Sequence, residues 1–229
     1  MAPIDLFQNP LRARSKNPDG KYRPRVPVKQ LHPRDRRRMR RHFRDLEPSD
    51  RLLRFGTELP DEQIERYVAA IDFSRDIVFG VYNRMFRLVA VGHLAFAPRD
   101  AAQDAVTDKA RVAEFGVSVS RSARGIGVGS KMFERAAIHC RNNDVDTLYM
   151  HCLSSNKTMM HIAKKAGMEI HREYGEADAY LKLLPADPSS VMQEAFDEQF
   201  ATLDYTFKAN KRAALKWLER LTFRKPKKK

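Results

Sequence analysis

Three glycines fall within five positions of the segment "RSARGIGVGSKMF", residues 121–133. The residues before this segment have the pattern of a strand, and the residues after it have the pattern of a helix. At the start of a helix the backbone N–H groups are free and the helix dipole is positive, and glycine lets a ligand come close to the backbone. The combination favours a bound phosphate, but such a turn also occurs where a strand and a helix simply pack tightly.

Two common phosphate-binding motifs do not fit this loop. The dinucleotide-binding fingerprint requires glycine at position 130 or 132, where the sequence has Ser130 and Met132. A P-loop requires Gly-Lys-Ser/Thr, but here the lysine follows a serine, and the methionine after it has no hydroxyl for magnesium. What remains is the pattern Arg124-x-x-Gly127-x-Gly129, which is a weak signal when taken alone.

The strand that leads into the loop is predicted over residues 111–119, because apolar and small or polar side chains alternate there. Its core face carries Ala113, Phe115, Val117 and Val119, and its opposite face carries Val112, Glu114, Gly116 and Ser118. The helix after the loop, predicted over residues 126–141, buries apolar residues at steps of one, three and four. We therefore expect Glu114 to lie on the face where a cleft opens.

The remaining elements are read from their periodicity and their boundary residues. Helices are predicted over 33–46, 47–56, 60–71 and 156–167, and strands over 76–83, 86–98, 147–153, 168–174 and 179–184. A loop without apolar pattern covers 99–109.

A long helix is predicted after residue 185. Asp187 is placed as its N-cap and Pro188 as its first residue, and apolar residues recur at steps of three and four from Met192 to Leu221. A stripe of this length must be covered by something. The two alternatives are packing along its own domain and self-association through a pair of helices, which would make a homodimer.

Charge is concentrated at the two ends of the chain. The net charge of +14 divides into +8 for residues 1–50, −3 for residues 51–204 and +9 for residues 205–229. The basic ends are interpreted either as solvated segments or as binding sites for an anionic partner such as nucleic acid. Residues 1–27, rich in Pro, Arg and Lys, are predicted to be a flexible basic arm, and residues 224–229 a basic tail.

Several other classes of protein are excluded. Two cysteines are too few for a disulfide framework, no signal peptide opens the chain, and no apolar run approaches the roughly 20 residues that span a bilayer. We therefore expect a cytoplasmic protein without membrane contact. The spacing of His139, Cys140, His151 and Cys152 matches no zinc pattern, so no metal is expected.

Two spaced motifs resemble those of the GNAT superfamily of N-acetyltransferases. "VSVSRSARGIGVGSKMF" has Arg124, Gly127 and Gly129 at the defining positions of the superfamily's pyrophosphate-binding motif. "SSNKTMMHIAKKAGM" is similar to the second cofactor motif, with Asn156 eleven residues before Gly167. The resemblance covers about residues 28–184. "RLLRFG" and "AEFGVSV" are most similar to the catalytic domain of bacterial protein lysine acetyltransferases. The resemblance to the superfamily implies an α/β (α+β) fold, the GNAT acyl-CoA N-acyltransferase fold, with a mixed, strongly bent sheet flanked by helices.

The resemblance also implies acetyl-CoA as the co-substrate. Its pyrophosphate would bind the backbone N–H groups of residues 125–130, with Arg124 adding positive charge. These residues are Gly125, Ile126, Gly127, Val128, Gly129 and Ser130. The pantetheine arm would pair with the backbone of Val117, Ser118 and Val119 as an added strand, and Asn156 belongs to the second motif.

An acceptor lysine is almost fully protonated at pH 7, so attack on the thioester requires a group that takes a proton. The resemblance implies that Glu114 is this general base. Many members also have a tyrosine, seven residues after the motif asparagine, that protonates the leaving thiolate, but here the position is Ala163. The candidates to replace this tyrosine as general acid are His161, Tyr149 and His151. Water is the alternative, because a thiolate is a tolerable leaving group.

The sequence thus predicts an acetyltransferase domain over 28–184, followed by the helix at 185–223 and the tail. The expected activity is acetyl transfer from acetyl-CoA to an amine, either a protein lysine or a small molecule. The alternative is a non-catalytic acyl-CoA-binding module that docks on nucleic acid or protein through its basic ends. The missing tyrosine favours the alternative, and Glu114 favours the enzyme.

Overall fold

The computed structural model describes residues 25–96 and 111–222 of the chain. The predictions for the first 24 residues of the basic arm, for the loop around 99–109 and for the tail lie outside these ranges. The described residues form one mixed sheet of seven strands in the order β1-β2-β3-β4-β5-β7-β6. Helices flank the sheet, so the predicted fold class is confirmed.

The strands correspond closely to the predicted ones. They are β1 (Lys29–Leu31), β2 (Ile77–Tyr82), β3 (Leu88–Phe96), β4 (Val112–Val119), β5 (Thr147–Leu153), β6 (Glu169–Glu173) and β7 (Glu176–Lys182). The last strand begins three residues earlier than predicted, and the very short β1 had no clear pattern. All neighbouring strands are antiparallel except β4 and β5, which are parallel.

Six α-helices lie within the described residues. They are α1 (Arg36–Arg44), α2 (Pro48–Phe55), α3 (Asp61–Ala70), α4 (Val128–Asn142), α5 (Lys157–Lys165) and α6 (Pro188–Thr222). Their ends follow the expected signals: proline opens α2, and Gly56 closes it in the left-handed conformation. At α6 the predicted N-cap is present, because Asp187 Oδ1 accepts a hydrogen bond from the backbone N–H of Ser190 at 2.7 Å.

Two apolar clusters lie on opposite faces of the sheet. One packs α4 and α5 against the strands and includes Phe115, Met132 and Leu148, which are at most 1% exposed. The other packs α1 and α3 on the opposite face and includes Met39 and Phe43. The sheet is therefore covered on one side by the helices that follow the glycine loop, and on the other side by the N-terminal helices.

The parallel strands β4 and β5 separate soon after they begin. They pair only at Val112–Glu114 with Thr147–Tyr149, although β4 continues to Val119 and β5 to Leu153. The backbone of β4 beyond Glu114 consequently has no strand partner on its β5 side. This opening in the sheet lies directly before the glycine loop.

The long helix α6 packs on the domain through polar contacts and through a few apolar residues, namely Ala201, which is 1% exposed, and Tyr205 and Ala209, which pack against the cluster of α1 and α3. Arg135 of α4 is 2% exposed and donates hydrogen bonds to Glu194 at 2.7 Å and to Glu198 at 3.2 Å. Further along, Lys208 donates to the backbone carbonyl of Tyr82. The helix does pack along its own domain, but the expectation that its apolar stripe makes this contact is wrong. The stripe faces outward, with 54–71% exposure at Met192, Phe196, Leu203 and Phe207.

Candidate active site

A cleft of about 750 Å³ lies beside the opening between β4 and β5. Its walls come from the end of β4, the glycine loop, the first turns of α4 and α5, and α2. All eleven residues that the sequence assigned to the cofactor line it, namely Val117, Ser118, Val119, Arg124, Gly125, Ile126, Gly127, Val128, Gly129, Ser130 and Asn156. The fold thus gathers segments that are 40 residues apart in the sequence around one cavity.

The glycine loop ends directly at the N-terminus of α4. Gly125 and Gly127 have φ angles of +76° and +82°, a conformation that other residues rarely adopt. Gly127 is the residue before the first turn of α4, and it has no side chain to bond the free N–H groups. The first turn also contains no acidic residue. The positive end of α4 is therefore directed into the cleft and suits an anion.

Gly129 has a different role from the other two glycines. A Cβ atom built on it would lie 3.1 Å from Cδ1 of Ile162 in α5, which is tighter than an ordinary van der Waals contact. The sequence analysis explained all three glycines by the close approach of a ligand to the backbone. The structure shows that Gly129 also permits the close contact between α4 and α5.

Arg124 is held by two contacts within the protein. Its Nε donates to the carbonyl of Val119 at 3.0 Å, and its Nη2 forms an ion pair of 2.6 Å with Asp50 of α2. The predicted positive charge is thus at the loop, but it is partly neutralised by a carboxylate that the sequence analysis did not identify. Asp50 comes from a helix far away in the chain, and nothing in its local sequence marks it.

Asn156 caps α5 and connects this helix to α2. Its Oδ1 accepts from the N–H of Met159 at 3.1 Å, and its Nδ2 donates to the carbonyl of Leu53 at 3.4 Å. The side chain is 7% exposed. The asparagine of the second motif therefore fixes the wall of the cleft.

Glu114 lies at the last paired position before β4 and β5 separate, opposite Tyr149. Its side chain is exposed, on the face of the sheet away from α4. It does not line the 750 Å³ cleft, whose nearest wall residue along β4 is Val117. Glu114 is thus at the apex of the opening, and the assigned cofactor residues of β4, which are Val117, Ser118 and Val119, lie beyond it.

The face of β4 that carries Glu114 is covered further along by α1 and α2. The guanidinium of Arg54 lies over Gly116, and Ser118 Oγ is hydrogen-bonded to His42 Nε2 at 2.8 Å. Burial lowers the pKa of His42 to about 4, so the imidazole is neutral at pH 7. The cleft that the sequence placed beside this whole face is therefore bounded by Arg54 and by the buried Ser118.

A chain of polar side chains runs from the cleft wall to the next strand, and the sequence analysis missed it. Arg54 Nη2 donates to the Tyr67 hydroxyl at 3.0 Å, this hydroxyl is hydrogen-bonded to His93 Nδ1 at 2.9 Å, and His93 Nε2 lies 3.2 Å from Asp76. Burial raises the pKa of Tyr67 and lowers that of His93. Because His93 pairs with Gly116, the chain lies on the same face as Glu114.

The three substitutes for the missing tyrosine have different environments. Ala163 itself is 1% exposed in the core, where it provides no hydroxyl. Tyr149 donates to Asp178 at 2.6 Å, and burial together with this bond raises its pKa. The hydrogen bond that His151 Nδ1 makes to the Asp178 carboxylate raises the pKa of His151. Of the three, His161 lines the cleft.

Cysteine and histidine side chains are dispersed over the structure. His139 is hydrogen-bonded to Glu194 on one side of the sheet, while His151 is exposed at the other side beside Asp178. Burial raises the pKa of the Cys140 thiol to about 12, which keeps it protonated. Within the described ranges, no group of three or more His, Cys, Asp or Glu side chains is arranged to hold a metal ion.

The fold is that of known N-acetyltransferases. The GNAT domain of S. lividans PAT has a TM-score of 0.57 and 19% identity, and the match covers 75% of this chain and 96% of that one. An N-acetyltransferase from Staphylococcus aureus Mu50 has a TM-score of 0.54 and 14% identity over 70% and 100%. Spermidine N-acetyltransferase from Vibrio cholerae, in complex with CoA and spermine, has a TM-score of 0.51 and 16% identity. That match covers 68% of this chain and 94% of the spermidine N-acetyltransferase chain.

Residues 39–168 match the sequence model of the acetyltransferase (GNAT) family. This region is more than half of the chain, and the protein belongs to that family. A search of curated protein sequences gave no significant match. The described helices include none with the length and apolar character of a membrane span.

Proposed function

We propose that the protein transfers an acetyl group from acetyl-CoA to an amine, with Glu114 as general base. The observation that carries the proposal is the position of Glu114 at the apex of the opening between β4 and β5. The eleven assigned cofactor residues lie along one continuous path from β4 through the glycine loop to α5. A cofactor on that path would direct its reactive end toward the glutamate.

Each part of acetyl-CoA has a matching surface along this path. The pyrophosphate would accept hydrogen bonds from backbone N–H groups at the start of α4, where no protein anion caps the helix. The amides of pantetheine would pair with the β4 backbone at Val117 and Val119, which has no strand partner on its β5 side. Because these surfaces match both the pyrophosphate and the pantetheine, they favour acetyl-CoA over a ligand that offers only a phosphate.

The reaction forms one bond and breaks one. The amine nitrogen attacks the thioester carbonyl carbon, a C–N bond forms, the C–S bond breaks, and the CoA thiolate leaves. Glu114 takes the proton that the nitrogen loses, directly or through water. The thiolate then takes a proton from water or from His161, which lines the cleft.

The open face of the sheet beside Glu114 favours a cationic acceptor. Register pairs place Glu114, Tyr149, Tyr180 and Glu169 in one row across four strands. Asp178 lies in the next row and is 39% exposed in its side chain. Carboxylates and aromatic rings attract an ammonium group, so an amine would approach along this face.

The test is acetyl transfer to a panel of a lysine-rich peptide, spermine and an aminoglycoside across pH 6 to 9. Glu114→Gln removes the base but keeps the size of the side chain, so kcat should fall by about 10²- to 10⁴-fold with nearly unchanged affinity for acetyl-CoA. The deficit should narrow as pH rises, because more of the amine is already deprotonated in solution. Glu62→Gln, which changes an exposed glutamate of α3 outside both the cleft and this row, is the matched control and should retain activity.

Equal rates for the wild type and Glu114→Gln at every pH would remove Glu114 from the mechanism. The second candidate function is an acyl-CoA sensor module without catalysis, and the buried Ala163 favours it because no tyrosine hydroxyl is present at that position. Tight binding of acetyl-CoA without transfer to any amine of the panel or to lysate proteins would support the sensor.

A further inference from the structure

The outward side of α6 carries an uncovered apolar stripe, which we name the outer stripe. It consists of Met192, Phe196, Leu203, Phe207 and Trp217, with exposures between 54% and 71%. On an α-helix these positions fall on one side, and they extend over about 38 Å at a rise of about 1.5 Å per residue. An exposed apolar stripe that extends this far along a helix marks an interaction site.

The helix cannot turn this stripe toward its own domain. The opposite side of α6 is fixed by the ion pairs of the buried Arg135 with Glu194 and Glu198. In the second half, Arg212 donates to the carbonyl of Phe86 at 3.1 Å. Rotation of the helix would leave Arg135 buried without a carboxylate partner, which is strongly unfavourable. The outer stripe therefore needs a cover from outside the domain.

We propose that a second copy of the chain covers the outer stripe, with the two α6 helices antiparallel. The charge of the helix favours this partner. Residues 188–205 contain four acidic and no basic residues, and residues 206–222 contain five basic and one acidic residue. The four acidic side chains already pair with basic groups of their own chain, whereas Lys211 and Lys216 in the second half are exposed. An antiparallel pair keeps these lysines of the two copies apart, whereas a parallel pair would bring them together.

The same charge distribution disfavours an anionic membrane or nucleic acid as the cover. Residues 188–205 contain no Lys or Arg, so such a surface would find cationic partners along only the second half of the stripe. A second copy covers both halves of the stripe at once and closes with twofold symmetry.

The area of the outer stripe is sufficient for a dimer. A large apolar side chain that becomes fully buried removes about 150–250 Å² from water, so five that are more than half exposed offer roughly 600 Å² per copy. The exposed alanines and polar residues between them raise this toward the roughly 800 Å² per partner that stable interfaces bury. Ala195 and Ala214, which are small and exposed, allow the helices to approach closely.

Sedimentation equilibrium of the full chain at about 100 μM tests the proposal. We expect twice the chain mass of 26.5 kDa. The Phe196→Glu/Phe207→Glu double variant should sediment as a monomer with an unchanged circular dichroism spectrum, because both positions are exposed in the single chain. Tyr174→Glu, which also replaces an exposed aromatic residue but far from α6, should leave the mass at the dimer value.

The orientation is tested by cysteine cross-linking, since both native cysteines are buried. An equal mixture of Met192→Cys and Trp217→Cys proteins should form a disulfide-linked dimer under mild oxidation, whereas neither variant should cross-link when it is alone. A monomeric wild type, or a dimer that the double variant does not dissociate, overturns the proposal. Rapid cross-linking of Met192→Cys with itself overturns the antiparallel arrangement.

Discussion

The glycines of the loop meet two different physical requirements, which the sequence alone does not distinguish. Gly127 needs its left-handed φ of +82°, and a side chain on it would extend into open space. At Gly129 a Cβ would lie 3.1 Å from Cδ1 of Ile162, so a larger residue would crowd the contact between α4 and α5. Substitution at Gly127 therefore reports on the cleft, while substitution at Gly129 reports on the contact between α4 and α5.

We expect Gly127→Glu to abolish acetyl-CoA binding, because a carboxylate would stand at the proposed pyrophosphate site and oppose the charge of the pyrophosphate. Gly175→Glu is a matched control: Gly175 has a φ of +89° and equally open surroundings among the described residues, but lies in the β6–β7 turn. Both variants should lose similar stability. Isothermal titration calorimetry with acetyl-CoA should detect binding only in the control. Equal affinity in the two folded variants would contradict the assignment of the loop.

His42 makes the stability of the fold depend on pH. Its pKa is about 4 in the folded protein and 6.5 when unperturbed, so between these values the unfolded chain binds more protons. The free energy of unfolding contributed by the neutral imidazole is complete above about pH 6.5, and it is lost as the pH falls toward 4. From pH 7.5 to pH 5 the expected loss is about 2 kcal/mol.

Urea unfolding at pH 7.5 and pH 5 measures this loss, and His42→Gln should remove most of it. His93, whose pKa burial also lowers, adds a loss of the same sign that the variant retains. An identical pH dependence in the wild type and in His42→Gln would show that His42 does not titrate in this range.

At the scale of elements, the strand, loop and helix at 112–142 could be predicted well from the sequence. Strict alternation defined β4, and clustered glycines marked the loop, because both signals are local. The separation of β4 from β5 could not be predicted, since both strands have ordinary strand patterns up to Val119 and Leu153. Likewise Asp50, Arg54 and His93 reach the site from other elements, and only the packed fold brings them there.

The orientation of α6 on the domain could not be predicted either. Apolar periodicity identifies which side of a helix avoids water, but it does not say which neighbour covers that side. The residue that decides the packing is Arg135, which lies among the apolar residues of α4 and pairs with two glutamates of α6. A buried cation of this kind has no local sequence signature.

Glu194 is accordingly the anchor of α6, and its removal should be costly. Burial alone would raise its pKa, but hydrogen bonds from His139, Asn142 and Arg135 lower it to about 2. Glu194→Ala leaves the buried guanidinium with Glu198 alone, so we expect a loss of about 3 kcal/mol in urea unfolding. Asp204→Ala, which breaks a more exposed ion pair with Lys208 on the same helix, should cost less than about 1 kcal/mol. Equal losses would contradict the anchoring role.

At the scale of the whole molecule, the two ends of the chain and the domain between them carry opposite charge. Residues 51–204 have a net charge of −3, and the two ends have +8 and +9. The acidic face beside Glu114 favours a cationic acceptor, whereas the basic ends favour an anion, so the two surfaces are suited to different partners. If the basic ends bind a polyanion, that binding should therefore vary independently of acetyl transfer.

Residues 224–229 contain five basic residues and one proline, so they concentrate positive charge at the C-terminal end. If this tail binds a polyanion, deleting it should weaken association with a mixed-sequence DNA duplex and flatten the dependence of log K on log salt. Each lost phosphate contact reduces that slope by about 0.9, because one fewer counterion is released. Replacing the five basic residues by glutamine keeps the chain length and should cause the same loss, since charge is the cause.

Acetyl transfer to a small amine should be unchanged in both variants. Fluorescence anisotropy of labelled DNA between about 25 and 200 mM salt measures the effect, and absence of binding by the intact protein at the lowest salt would identify the tail as a solvated segment.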